Sequence, residues 1–419
     1  MAKIVDVVAR QVWDSRGRAT VEAEVHVKGA GARTFGRAIA PAGASTGSGE
    51  AKSIEARRAV HLVNTEVRSA LVGRRLEQAA IDQVLIALDG TPDKSRLGGN
   101  GIVAVSLACA HAAAAAAREP LWRHLAGDRA VPMPVPQIQI FGGGAHAHGR
   151  MDLQDFMVIC TGAGSFEESL EWTSQVYKAA GARLSRRGAL AGVADEGGYW
   201  PAFTTNEEAL AELTGAISDA GFTPGEDIGI ALDVAATQLW RDGKYHLSLE
   251  KRSLSAAQMH AMLLQWLERY PIVSIEDPFA EDDAEGMASF TRTAGARVQV
   301  VGDDFFVTSA ERVRNADGAC NCVLLKPNQA GTLTETLACW EAAQAAGYRA
   351  IVSARSGETE DVTIVHLAVG WGVGQLKVGS FARSERMAKW NEGLRIEEAL
   401  GKAKLPFPAR KLFRRAPGR

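Results

Sequence analysis

A chain of 419 residues exceeds one compact core, so a barrel of about 250 residues plus one further domain is the expected arrangement. With 46% hydrophobic and 23% charged residues, the composition is that of an ordinary soluble globular enzyme and excludes a disordered or fibrous chain. A formal net charge of -2 offers no global field to recruit nucleic acid or an anionic membrane.

The first ten residues contain no uninterrupted apolar core, so no signal peptide is expected. Five cysteines, at 109, 160, 320, 322 and 339, are odd in number and lack metal-type spacing, which fits reduced core thiols in a cytosolic protein. Val21, Ala23, Val25 and Val27 alternate with Glu22, Glu24, His26 and Lys28, the pattern of a half-exposed antiparallel strand. Asp14-Ser-Arg-Gly17 is the turn that precedes it, and residues 34–41 give a third strand before Pro41-Ala-Gly-Ala-Ser-Thr-Gly47 breaks the pattern. Helical periodicity then runs from about 50 to about 125 and makes residues 1–131 an α+β domain. Within it, the mostly alanine run Ile102–Ala117 reads as a closely packed helix too short to span a bilayer. Pro132, Pro134 and Pro136 mark the boundary, because so dense a proline segment continues neither helix nor sheet. A barrel is expected over 137–402, opening with strand-like segments at 137–141 and 153–159, and 403–419 reads as a basic, solvated tail.

The barrel rests on one recurring design. Gly229–Asp233, Ile272–Glu276 and Val298–Asp303 are short apolar, β-branched runs that each end in a carboxylate. Cys322–Lys326, Arg349–Arg355 and Gln375–Lys377 continue it with cationic ends. Strands whose last residue is polar, separated by helix-length segments, describe a β/α barrel, which keeps its chemistry at the carboxyl ends of its strands. Oxygen ligands from Asp233, Glu276 and Asp303 suit a hard cation such as Mg²⁺. A single such acid is more often a helix N-cap, but three at matching positions, with Asp277 and Asp304 following two of them, favour the metal.

Beside a metal and another cation, the pKa of Lys326 or Lys377 should fall, so that one serves as general base while the other neutralises the carboxylates. Spacing leaves that choice open. Arg355 and Ser356 suit bidentate capture of a phosphate or carboxylate, with an ion pair to Glu358 or Glu360 as the alternative. His146 and His148 share a glycine-rich loop and fit either zinc or substrate contact. Glu196, before Gly197-Gly198, is either a general acid or a turn residue. The loop Ala42–Gly47 could fold over an anionic ligand through backbone N–H groups and Ser45.

Together these motifs resemble the enolase family from residue 4 to residue 402. The resemblance is carried by Asp14-Ser-Arg-Gly17, Gly43–Gly47, Asp195–Gly198, Ser274-Ile-Glu-Asp-Pro278, Leu324-Leu-Lys326, Asn328-Gln329, Gly331-Thr332, Arg355–Asp361 and Ala382–Arg386. It implies an α/β architecture: an enolase-type eight-stranded β/α barrel whose first strands are antiparallel, preceded by an α+β N-terminal domain, assembled as a homodimer or dimer-based oligomer. It also implies two Mg²⁺ ions per site, the first held by Asp233, Glu276 and Asp303, the second helped by Ser45. In that scheme Lys326 removes the proton α to the substrate carboxylate, Glu196 protonates the departing hydroxyl, and Lys377 stabilises the developing charge. Arg355 and Ser356 grip the phosphate with His146 nearby, and Glu276 and Asp155 complete the contacts to substrate.

Two positions depart from the family pattern. Asp155 stands in Leu153-Gln-Asp-Phe156 where the family carries glutamate, and Ala354 stands where the family carries histidine. Arg18-Ala19 also replaces the usual Asn-Pro. The first two changes belong to the leaving-group side, whereas the metal ligands and lysines are intact. The expectation is a cytoplasmic Mg²⁺-dependent lyase acting on a small phosphorylated or phosphonylated carboxylate, with no nucleic-acid or membrane partner. Phosphoenolpyruvate from 2-phosphoglycerate is the leading product. A specialised paralogue of phosphonate antibiotic biosynthesis forming carboxyphosphonoenolpyruvate, or a catalytically weak enolase-fold binding protein, are the alternatives.

Overall fold

The computed structural model describes residues 2–29, 33–44, 46–147, 149–401 and 405–413. Strands β1 (Lys3–Trp13), β2 (Ala19–Lys28) and β3 (Arg33–Ile39) form an antiparallel meander in that order. The turn between β1 and β2 is built by Asp14, whose Oδ1 accepts the N–H groups of Arg16 at 2.9 Å and Arg18 at 2.8 Å, while Gly17 takes a φ of 69°. Val21, Ala23, Val25 and Val27 are all fully buried, and β2 and β3 pack against the helix Gly99–Ala117.

That helix is longer than the sequence indicates. It begins at Gly99 rather than Ile102, and its 19 residues are long and apolar enough to cross a membrane. Length therefore does not decide its role. Its alanine surface is spent on the core instead, with 72% of its most apolar window buried.

Eight further strands make the barrel: β4 (Val135–Gly142), β5 (Asp155–Ile159), β6 (Gly229–Asp233), β7 (Ile272–Glu276), β8 (Gln299–Gly302), β9 (Cys322–Leu325), β10 (Arg349–Ser353) and β11 (Gln375–Gly379). They lie in sequential order, and pairing of β11 with β4 closes the ring. Only β5 runs antiparallel to its neighbours, as it pairs with β4 and β6. Because β5 runs backwards, its first residue lies at the rim where its parallel neighbours end. Asp155 is thus opposite Asp233, which is opposite Glu276, so three acids stand in a row on adjacent strands. A hairpin of Leu190–Val193 and Tyr199–Pro201 extends from β4 and carries Glu196 in its turn.

Inside the barrel, a buried polar layer lies on the strands that end at the rim. Gln375 accepts from Gln137 at 2.9 Å and from Gln299 at 3.1 Å, and Gln299 reaches Ser274 Oγ at 3.1 Å. Such a layer is tolerated because its members satisfy one another. The floor is apolar, with Val135, Met157, Ile159, Ala231 and Val273 in one cluster. The last described segment joins it. Ala409–Phe413 forms a short helix that buries Ala409 and Phe413 against the floor, so part of the basic end is docked rather than solvated. All five cysteines are buried and free.

Contact between the N-terminal sheet and its helix depends on Gly36. A Cβ there would lie 2.1 Å from the backbone N of Ala112 and 2.3 Å from the carbonyl of Ala108. Gly36→Ala is therefore expected to lower the stability by about 3 kcal/mol, as overpacking against backbone cannot be relieved by a rotamer change. Urea unfolding of the variant checks this.

Candidate active site

Each predicted rim residue is brought to one end of the barrel by the strand before it. Lys377, inside β11, lies 2.9 Å from both Asp233 and Glu276 and 3.2 Å from Asp155. Lys326, at the end of β9, pairs with Asp303. His146 Nδ1 is 3.2 Å from Asp155 and its Nε2 is 3.7 Å from Glu196. Asp155 also accepts from Gln139, and Asp233 accepts from Gln154 at 3.0 Å. Every one of these charged groups is buried.

The acidities follow from that crowding. Burial, reinforced by the Asp233 carboxylate, pushes Glu276 well above the usual carboxylate range. Burial also opposes ionisation of Asp303, but the Lys326 ammonium and the Arg355 guanidinium hold it below that range. Burial and the Asp155 charge raise Glu196. The fall in lysine pKa expected beside a bound metal is opposed by direct contact with the carboxylates. Burial alone would lower both, yet Asp303 raises Lys326, and Asp233, Glu276 and Asp155 raise Lys377 well above its ordinary value. The carboxylates outweigh the neighbouring cations because they are in direct contact.

Arg355 also differs from expectation. Its side chain pairs with Glu50 at 2.9 Å, not with Glu358 or Glu360, and Glu358 instead accepts the Arg355 backbone N–H and pairs with Lys389 at 3.0 Å. Ser356 Oγ accepts from Arg16 at 3.2 Å, and the same guanidinium holds the carbonyls of Ala42 and Gly43 at 3.0 Å each. Arg386, fully buried, donates to the carbonyls of Arg355 at 2.7 Å, Val378 at 2.9 Å and Ser356 at 2.5 Å. Ser45 and His148 lie outside the described residues.

His146, Glu196, Lys326, Ala354, Arg355 and Lys377 open onto one narrow cavity of about 20 Å³. Larger clefts of about 840 and 960 Å³ lie at the barrel floor and beside the loop that ends at Glu50. The converging charges, not the cavity volume, mark the chemical centre. The small volume reflects two lysines folded onto the acids.

A hard cation fits this donor set. Glu276 Oε1 is buried with no hydrogen-bond partner among the described residues, an orphaned acceptor that a cation would satisfy. Oxygens of Asp277, Asp303 and Asp304 lie closer together, all within 4.8 Å. Asp277 is already engaged, however. It accepts the N–H groups of Asp303 at 2.9 Å and Asp304 at 2.7 Å from a backbone with φ of 40°, which shapes the loop after β8.

Sequence reasoning missed Glu50, Gln139 and Gln154. The sole signal for Gln139 is that it and Gln137 are the polar side chains of a strand whose other residues are apolar. Glu50 gives none, as its role depends on a partner about 300 residues away.

A mixed barrel with one reversed strand thus gathers acids on neighbouring strands, and lysines facing them, at the strand ends where such barrels keep their chemistry. Residues 130–414 match the family profile described as enolase, C-terminal TIM barrel domain, and residues 4–125 match that described as enolase, N-terminal domain. The chain is 47% identical to Enolase 1 of Desulfitobacterium hafniense (strain Y51), over 98% of this chain and 97% of that protein. The chain belongs to the enolase family, and its activity is of the phosphopyruvate hydratase type.

Lys377 neutralises three buried acids at once. Lys377→Met should leave them mutually repelling and lower the stability by about 3 kcal/mol in metal-free buffer, the cost of breaking a buried ion pair. Denaturant titration reads the difference.

Proposed function

We propose that this chain is a Mg²⁺-dependent enolase that removes the proton α to the carboxylate of 2-phosphoglycerate and expels the β-hydroxyl, giving phosphoenolpyruvate. The observation that carries this reading is the shared cavity of Lys326, Glu196 and Arg355 above the row of Asp155, Asp233 and Glu276. Asp233, Glu276 and Asp303 would hold the first Mg²⁺, and Ser45 would help hold a second. Bound there, Mg²⁺ supplies positive charge where the substrate carboxylate takes up electron density.

The chain's own groups do the rest. Lys326 Nζ accepts the α-proton. Asp303, its present partner, favours the ammonium form, so the base role requires Asp303 to be engaged by a cation. Lys377 stays protonated and faces the developing negative charge. Glu196 keeps a proton through burial and delivers it to the departing hydroxyl oxygen, with His146 linking it to Asp155. Arg355 and Ser356 receive the phosphate. By the same similarity, residues 1–131 and 137–402 act as two domains of a cytoplasmic homodimer that uses neither nucleic acid nor membrane.

A second reading has a specific observation behind it. Ala354 lines the cavity, and Asp155, short for its place, is tied to Lys377 and His146. Both lie toward Glu196 and would favour a different leaving group, such as that of a phosphonylated substrate giving carboxyphosphonoenolpyruvate.

Turnover of 2-phosphoglycerate, followed by ultraviolet absorbance of the enol product, should be Mg²⁺-dependent and abolished by chelation. Lys326→Ala should remove exchange of the α-proton with solvent deuterium, by about 10²-fold or more. Exchange that survives in Lys326→Ala would exclude Lys326 as the base. If the native chain exchanges the proton but does not eliminate, Ala354→His with Asp155→Glu should raise turnover. No gain in that double variant would exclude these positions as the cause.

A further inference from the structure

The segment that ends at Glu50 is clamped from outside the cavity. Ser48 donates through its backbone N–H and its hydroxyl to Glu281 Oε2, at 2.9 and 2.7 Å, and its carbonyl accepts from Arg312 at 2.5 Å. Both clamping side chains are themselves set by the barrel rim. The Glu281 N–H donates to Thr237 Oγ1 at 2.9 Å, and Arg312 Nη1 reaches the carbonyls of Asp304 and Phe305 at 3.4 Å each.

The backbone is shaped to this clamp. A Cβ on Gly47 would meet Val307 Cγ1 at 2.6 Å, and one on Gly49, at a φ of 95°, would meet Arg312 Nη2 at 2.8 Å. The segment thus lies flat on the loop that follows β8.

Two residues beyond Ser48, Glu50 turns inward and is buried. Its Oε1 accepts from Gly47 N at 2.9 Å and Gln329 at 3.2 Å, and its Oε2 accepts from Arg355 at 2.9 Å. An unbroken chain of contacts therefore runs from two surface charges to the guanidinium that faces the cavity.

We propose that Glu281 and Arg312 are positioning residues for anion binding: by holding Ser48 they fix Glu50, and through Glu50 they orient Arg355. Neither touches substrate. This rests on the reading of Arg355 as the phosphate-binding group. A carboxylate in contact with a guanidinium fixes the direction in which it points, and loss of that support costs binding before it costs chemistry.

The test uses the full chain with Mg²⁺, measuring kcat and KM for 2-phosphoglycerate, the inhibition constant of inorganic phosphate, and the melting temperature. Glu281→Ala and Arg312→Ala are each expected to raise KM and the phosphate constant about fivefold to tenfold, with little change in kcat. Glu281→Gln, which keeps an acceptor oxygen for Ser48, should recover most of the loss. Because both residues lie at the surface, the melting temperature should stay near that of the native chain. Unchanged KM and phosphate binding in both alanine variants, with Arg355→Met weakening phosphate, would overturn the clamp and leave the role of Arg355 standing. A loss in Glu281→Ala that Glu281→Gln does not recover would equally overturn it. Phosphate binding unaltered by Arg355→Met would instead remove the reading of Arg355, and the clamp with it.

Discussion

Mutual repulsion among buried carboxylates is the constraint around which the barrel rim is organised. Asp155, Asp233 and Glu276 stand side by side on β5, β6 and β7, and Asp303 ends the next segment. Such a group is costly to bury unless positive charge is within contact distance. Lys377 meets that requirement from β11, across the ring, and Lys326 meets it from β9, beside the strand that leads to Asp303. The same acids offer the oxygen donors that a hard cation takes.

Around this core of charge, the fold uses rigid elements to fix what is mobile by chemistry. Asp277 adopts a left-handed backbone to hold the loop after β8. Arg386 gathers three carbonyls beneath Arg355 and Ser356. The Glu196 turn is held by its own carbonyl, which accepts from Ser380 at 2.8 Å, and by the Tyr177 hydroxyl, which donates to Gly197 O at 3.1 Å. The first domain contributes directly, since Arg16 in its β-turn reaches Ser356 and Glu50 reaches Arg355. The N-terminal domain is therefore a wall of the cavity as well as a separate fold.

Much of this was legible residue by residue. Runs such as Gly229–Asp233 and Ile272–Glu276 show their burial by lacking any polar face, and their terminal acids mark the rim. The alternation of β2 shows one covered and one open face. The roles within the site were less legible. Lys326 and Lys377 look alike in sequence, and only their different carboxylate partners separate them. Helix Gly99–Ala117 starts three residues before the apolar run Ile102–Ala117, and Gly99 and Gly101 pack closely against Ala51 and Val63.

The sequence by itself determined the barrel, its reversed opening strand by family resemblance, and the rim identity of its acids and bases. These follow from local period and from which residue ends each strand, both properties of neighbouring positions. Only the tertiary structure decided that Arg355 turns to Glu50, that each lysine rests against its own carboxylates, and that Ala409–Phe413 packs on the barrel floor. Those outcomes depend on distances between residues on different elements. Coulomb energy and desolvation change steeply with such distances, and no local pattern encodes them.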